Sequence, residues 1–184
     1  LASKVVDKFY AVPNRPKGKH PTVTVSVSCF VPKPFTPFQW EKFVTKQEVE
    51  DKLNVLKKRL FIKGVSLKWN DYELSEMEAV LARGDRKVGK VILDAYNQGC
   101  IFDSWSEFFD PDKWYKAFEN AGVNKDNYTK KFNDNEILAW DFIDMGIKKS
   151  FLLKEKNLAY SNKCSGGCQS GCKGCGLQGR CNIK

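Results

Sequence analysis

Five of the seven cysteines in this 184-residue chain lie near its carboxyl end, separated by glycine-rich segments. Glycine permits the tight turns that direct several thiolates toward one centre. Four thiolates satisfy either a tetrahedral zinc ion or an iron–sulfur cluster, so their number leaves both open, and we favour the cluster. Dispersed cysteines would indicate secreted disulfides, whereas this grouping predicts a metal site. The candidate ligands are Cys164, Cys168, Cys172, Cys175 and Cys181.

A second pattern with chemical meaning is the alternation of apolar and hydroxyl side chains in residues 22–31. Valine or cysteine occupies the odd-numbered positions from 23 to 31, and threonine or serine occupies most of the even ones. This period of two predicts a strand with one buried face. Hydroxyls on its other face suit a barrel wall whose lumen holds a polar ligand.

Prolines at positions 32, 34 and 37 follow this predicted strand directly. They exclude a helix and remove backbone donors, so we predict a rigid, extended loop at the carboxyl end of the strand. Barrels place their sites at that end. We therefore take Ser26, Ser28 and Lys33 as candidate cofactor-binding residues.

The sequence Arg83-Gly84-Asp85-Arg86 places two guanidinium groups around a carboxylate at a break between predicted helices. One interpretation is a clamp for an anion or substrate, formed by Arg83, Asp85 and Arg86. The alternative, which we favour from the residues alone, is a self-contained salt-bridged turn in which Asp85 caps the next helix.

Helical spacing of apolar residues accounts for most of the remaining chain. Capping boxes predict helix starts at Thr45 and Ser75, and Asp110 is an N-cap followed by proline. Gly64 ends the helix that follows Thr45, and a short strand is predicted over residues 65–69. Further helices are predicted over residues 2–11, 85–98, 125–131 and 149–160.

Composition describes a globular, lysine-rich protein. The chain has 31 basic and 22 acidic residues, a net charge of +9, and 42% apolar residues. The basic excess raises the prospect of a nucleic-acid or phosphate partner, although scattered lysines also describe an ordinary solvated surface. No apolar run is long enough to cross a bilayer, and the first ten residues do not have the pattern of a signal peptide, because charges interrupt them and no apolar segment follows. We expect a cytoplasmic protein without a membrane partner.

These features predict an α/β fragment in three parts. Residues 1–44 would form the end of a barrel with its last strand and proline-rich loop, and residues 45–160 a mostly helical extension. Residues 161–184 would form the cysteine-rich tail. The chain begins with Leu1 and inside a predicted helix, so we expect the natural protein to extend upstream.

Several segments together resemble a family of radical SAM proteins that carry an N-terminal cobalamin-binding-like domain. The segment from Val25 to Trp40 is similar to the last-barrel-strand signature of that family. The other segments that carry the likeness are Ala82–Arg86, Phe102–Trp105, Leu138–Asp141, Phe151-Leu152 with Glu155, and Cys172–Gly176. The family usually has His at the position of Phe35 and Pro at that of Ala139.

The resemblance implies an enzyme whose catalytic centre lies upstream of this chain. A partial (β/α) barrel there would carry a Cys-x-x-x-Cys-x-x-Cys motif, whose [4Fe–4S] cluster cleaves S-adenosylmethionine to a radical. Cobalamin would be a further cofactor that the full-length protein could use. This chain would supply the closing strand, a loop over the barrel mouth, a helical cover and an auxiliary cluster or metal site. Its partner would be the upstream barrel of the same polypeptide.

Two alternatives stay open at this point. Cys168, Cys172 and Cys175 have the spacing of the SAM-activating motif themselves, but nine residues follow Cys175, too few for a barrel, so we interpret this match as coincidence. The tail could instead belong to a zinc-knuckle RNA-binding module, in which lysines hold phosphate and aromatic side chains stack on bases.

Overall fold

The computed structural model describes residues 1–15 and 18–177. These residues form a mixed α/β structure that is mostly helical, with a two-stranded parallel sheet. The elements in chain order are α1 (Ala2–Ala11), β1 (Val23–Val27), α2 (Lys46–Arg59), β2 (Val65–Trp69), α3 (Tyr72–Arg83), α4 (Val88–Asn97), α5 (Pro111–Asn120), α6 (Asp126–Thr129), α7 (Lys149–Tyr160) and a 3₁₀ turn at Cys168–Ser170. Among the described helices, none has the length and apolar character that crossing a bilayer requires.

The chain divides into two compact units whose segments alternate along the sequence. The first unit contains Leu1–Phe30 and Val44–Ser75, and the second contains Val31–Phe43 and the residues from Glu76 onward. The proline-rich loop therefore belongs to the second unit, although the strand before it belongs to the first.

The first unit is built on a parallel pair of strands joined through α2. Val23 pairs with Val65 and Val27 pairs with Trp69, so the two strands have equal length. The predicted alternation is confirmed, because the valines of β1 are half-buried and Thr24 and Ser26 are exposed. The predicted span of residues 22–31 is wrong, since the ladder ends where β2 ends at Trp69.

The capping box at Thr45 is confirmed and begins α2. The Thr45 side chain accepts a hydrogen bond from the backbone N–H of Glu48, and the Glu48 carboxylate accepts one from the Thr45 N–H. The prediction that Gly64 ends this helix is wrong, because α2 ends at Arg59 and Leu60 is its C-cap. Gly64 instead has a positive φ of 83° in the turn that leads into β2.

The prediction that a second capping box begins a helix at Ser75 is wrong. Helix α3 begins at Tyr72, and the Ser75 hydroxyl donates back to the carbonyl of Asp71 at 2.9 Å instead of capping a later turn. The cap at Asp110 is confirmed, since its carboxylate accepts from the backbone N–H groups of Asp112 and Lys113 at 3.1 and 3.4 Å.

Two hydrophobic clusters form the core of the second unit. The first packs α3, α4 and α5 through Met77, Val80, Val88, Val91, Ala95, Trp114, Ala117, Phe118 and Tyr128. The second contains Trp40, Phe132, Leu138, Trp140 and Leu152.

The prediction of an extended loop after β1 is wrong. Residues 34–40 instead form consecutive turns, which Thr36 closes by donating to the Lys33 carbonyl and which bury Trp40 completely.

Candidate functional site

The cysteine tail is the strongest candidate site in the second unit. Cys164, Cys168 and Cys172 are exposed, and Cys175 is half-buried. Cys181 lies outside the described residues. Within residues 1–15 and 18–177, no three His, Cys, Asp or Glu side chains come together as a metal-binding group.

Contacts with the turn at residues 146–148 and with α7 hold the tail in place. The backbone N–H of Lys148 donates to the carbonyl of Cys175 at 2.8 Å, and the Ser165 hydroxyl donates to the Glu155 carboxylate at 2.9 Å. Gly176 lies so close to the carbonyl oxygen of Gly146 that a Cβ atom would overlap it. The tail is thus anchored on both sides of Cys168 and Cys172.

The backbone between the anchors suits metal ligation by sulfur. The N–H of Gly174 donates to the Cys172 sulfur at 3.4 Å, the kind of contact that orients a ligating thiolate. Gly171, Gly174 and Gly176 all have positive φ values, of 107°, 76° and 112°. These conformations favour glycine and let the chain turn sharply around each thiol. Thiolate sulfur is a ligand type that zinc and iron–sulfur clusters both use.

Replacing Gly176 with alanine is expected to loosen the Cys175 anchor. The new methyl group meets a backbone oxygen, which cannot move away as a flexible side chain can. We expect hydrogen exchange at the Lys148 amide to become about tenfold faster, equivalent to roughly 1.4 kcal/mol. Gly171→Ala is the matched control, because Gly171 also has a positive φ but no atom within 4 Å of its added Cβ. Equal protection of Lys148 in both variants would contradict this account.

The residues of the Arg83-Gly84-Asp85-Arg86 motif do not converge on one point. Arg83 is only 1% exposed, and its two terminal nitrogens donate to the carbonyls of Glu41 and Lys130 at 2.9 and 3.0 Å. Its guanidinium lies 4.1 Å from the centre of the Phe132 ring. Arg86 is exposed. Asp85 accepts from the Tyr128 hydroxyl and the Lys87 N–H, both at 2.8 Å.

A cavity of about 320 Å³ lies beside this motif in the second unit. Its charged lining residues are Arg83, Asp85, Lys87, Lys130 and Glu136, so both signs of charge face it. Burial lowers the pKa of Arg83 to about 10, which leaves the guanidinium charged at neutral pH. Burial, with the Asp85 carboxylate, raises the pKa of Tyr128 to about 12. Arg83 therefore acts mainly as an internal cross-link, and the cavity suits a small polar molecule better than a bare anion.

The candidate cofactor-binding residues fall in different units. Ser26 and Ser28, in the first unit, are exposed. Lys33, in the second, pairs with the Glu78 carboxylate at 2.5 Å.

Ser28 does line a groove of about 230 Å³ in the first unit, at the carboxyl ends of the two strands. The groove also contains Cys29, Lys52 and Trp69. Burial raises the pKa of the Cys29 thiol, opposed by a hydrogen bond with Ser75 and by the charge of Lys52. Lys52 and Trp69 were not among the residues that the sequence predicted to bind a ligand. Their positions could have indicated this role, since Lys52 lies beside the apolar residues of α2 and Trp69 is the last residue of β2.

Comparisons with known proteins give one weak likeness. No protein-family model matches this chain, and no solved structure matches it. The chain is similar to the uncharacterized protein MJ0966 of Methanocaldococcus jannaschii, with 27% identity over 103 residues. The match covers 56% of this chain and 23% of that protein, so the chain spans about a quarter of the length of the relative it matches.

Proposed function

We propose that this chain is the carboxyl-terminal region of a radical SAM iron–sulfur enzyme, with an auxiliary cluster or metal site in its tail. The observation that carries this proposal is the parallel pair of β1 and β2 joined through α2. Parallel strands linked by a helix are the repeating unit of (β/α) barrels. One face of the pair carries valines and the other carries Thr24, Ser26 and Ser66, as a barrel wall with a polar lumen requires.

The incomplete burial of this sheet supports the same proposal. Parallel sheets normally have both faces covered, and two strands alone are marginally stable. Here the valines of β1 are only half-buried, and α2 has no fully buried residue. Further strands from an upstream barrel of the same polypeptide would pair with the sheet edges and cover these side chains. The upstream strands alone would form an incomplete barrel, and β1 and β2 would add the strands that it lacks.

In this proposal the reaction and its cofactors divide between the two parts of the polypeptide. The upstream part would bind S-adenosylmethionine, its [4Fe–4S] cluster and any cobalamin. In this chain, Ser26 and Ser28 would face the ligand from the barrel wall. The tail cysteines would hold the auxiliary centre, which as an iron–sulfur cluster would supply electron transfer. The proposal also assigns the protein to the cytoplasm, where thiols stay reduced.

Anaerobic reconstitution with iron and sulfide tests the tail as the site. We expect the chain to gain iron, acid-labile sulfide and visible charge-transfer absorption, and Cys172→Ala/Cys175→Ala to lose most of all three. The matched control is Cys29→Ala/Cys100→Ala, which removes the two half-buried thiols outside the tail. This control should bind as much iron as the unchanged chain.

The results of this experiment distinguish an iron–sulfur cluster from zinc, and they show whether the tail binds a metal at all. If the tail variant retains as much iron as the unchanged chain, the tail is not the cluster site. If zinc binds stoichiometrically through the same cysteines and iron does not, the zinc-knuckle alternative replaces the cluster. An upstream sequence with a Cys-x-x-x-Cys-x-x-Cys motif about one barrel earlier would support the class of enzyme independently of either metal.

A further inference from the structure

We propose that the first unit binds single-stranded nucleic acid through a basic surface at the amino ends of its two strands. This surface, called the basic end here, consists of Lys19, Lys58, Arg59, Phe61 and Lys63. It is independent of the tail cysteines and of the groove at the carboxyl ends of the strands, so it does not rest on the function proposed above.

Charge is strongly segregated along the sequence of the first unit. Residues 8–30 and 52–70 together contain ten Lys or Arg residues and no Asp or Glu. After Asp7, the acidic residues of this unit are Glu48, Glu50, Asp51, Asp71 and Glu73. Long acid-free stretches of this kind on one domain are an electrostatic footprint for phosphate.

The fold gathers the basic residues at one end of the sheet. Helix α2 ends at Arg59, and only five residues separate it from β2, so Phe61 and Lys63 lie where β2 begins. The N–H of Val23 donates to the carbonyl of Gly64 at 2.8 Å, and the carbonyl of Pro21 lies close to Gly64 as well. These contacts bring the segment that carries Lys19 beside the turn that carries Lys63.

The acidic residues that follow Asp7 lie at the opposite end of the same unit. Lys46, in the first turn of α2, pairs with Glu73 at 2.6 Å, and Glu73 follows β2. The start of α2 and its acidic residues are therefore at the carboxyl ends of the strands. These acidic residues are thus concentrated at the pole opposite the basic end, and the basic end faces away from the end where parallel sheets bind small ligands.

The side chains of the basic end are exposed and available. Phe61 is 96% exposed. Lys19, Lys58, Arg59 and Lys63 are exposed, and none of them has an ion-pair partner in the part of the chain that the structure describes. Because the Phe61 side chain is almost fully exposed, it buries hardly any apolar area and contributes little to the stability of this unit.

The helix dipole explains only part of this arrangement. Cations in the last turn of a helix compensate the partial negative charge of its carboxyl end, which accounts for Lys58 and Arg59. It does not account for Lys19 and Lys63, which lie on loops, or for the exposure of Phe61. Cations that track a phosphate backbone, with an aromatic ring on which an unpaired base can stack, account for all five residues.

Fluorescence anisotropy with a labelled oligouridylate of about fifteen nucleotides tests the proposal on the full, metal-free chain. We expect binding that weakens steeply between about 50 and 200 mM salt. Lys58→Gln/Lys63→Gln should reduce the slope of log affinity against log salt by about 1.4, since each lost phosphate contact on a single strand removes about 0.7. Phe61→Ala should weaken binding by about tenfold or more without changing that slope.

The matched control is Lys90→Gln/Lys116→Gln, which removes the same charge from exposed positions of the second unit and should leave binding unchanged. An oligodeoxyuridylate of the same length distinguishes RNA from DNA as the source of the strand. The proposal fails if the oligonucleotides do not bind at low salt, or if the control loses as much affinity as the paired variant. It also fails if only Cys172→Ala/Cys175→Ala abolishes binding, or if anionic vesicles bind the basic end and oligonucleotides do not.

Discussion

Replacing Arg83 with alanine is expected to lower the free energy of unfolding of the second unit by about 3–5 kcal/mol. The guanidinium bridges the carbonyls of Glu41 and Lys130 and packs on Phe132, all within the core. Alanine leaves two carbonyls without their donors and opens a cavity beneath the ring. Urea denaturation followed by tryptophan fluorescence measures the loss.

Two variants isolate the cause of this effect. Arg86→Ala removes an exposed guanidinium from the same motif and should change stability by less than about 0.5 kcal/mol. Arg83→Lys keeps the charge but cannot donate along two directions from a planar fork, so it should lose much of the stability that alanine loses. If Arg83→Ala and Arg86→Ala were equally mild, the cross-linking role of Arg83 would be wrong.

Replacing Trp40 with alanine is expected to cost about 3–5 kcal/mol, because the side chain is fully buried at the centre of the second hydrophobic cluster. The ammonium groups of Lys149 and Lys156 also lie over its ring, at 5.9 and 5.5 Å. Thermal unfolding should show a correspondingly lower midpoint. Trp105→Ala is the control, since Trp105 is 61% exposed and should cost little.

Phenylalanine substitutions separate packing from hydrogen bonding in this cluster. The indole N–H of Trp40 has no partner among the described residues, whereas that of Trp140 donates to Gln39 at 2.7 Å. Trp140→Phe should therefore cost about 1 kcal/mol more than Trp40→Phe. The reverse order would show that ring volume alone decides the loss.

Local signals in the sequence predicted local structure well. The caps at Thr45 and Asp110 depend on contacts within a few residues, the alternation in β1 follows from the period of two along the strand itself, and the structure confirms all three. Ser75 failed as a cap because the preceding turn, from Tyr72, was already helical. A hydroxyl inside a helix can bond backward to a carbonyl, and the sequence pattern does not distinguish that from capping.

The roles of the charged and aromatic residues depended on distant partners. The sequence indicated Arg83 as part of a possible anion clamp. Its hydrogen-bond acceptors lie 42 and 47 residues away along the sequence, and no rule of residue spacing predicts them. The same holds for the pair of Trp140 and Gln39, which are 101 residues apart. For the tail, the sulfur ligands stay a prediction from the sequence, whereas the hydrogen bond from Lys148 to Cys175 is a feature of the three-dimensional structure.

Residues 31–43 belong to the second unit although the strand before them belongs to the first, and this has a consequence for biosynthesis. Trp40 leaves the ribosome roughly a hundred residues before its partners Phe132, Leu138 and Leu152. Until then a large indole and its neighbours stay without their native cover, and closing so long a loop slows folding. Nascent chains that stop before α7 should therefore depend on chaperones, even though β1, α2 and β2 have already been synthesised.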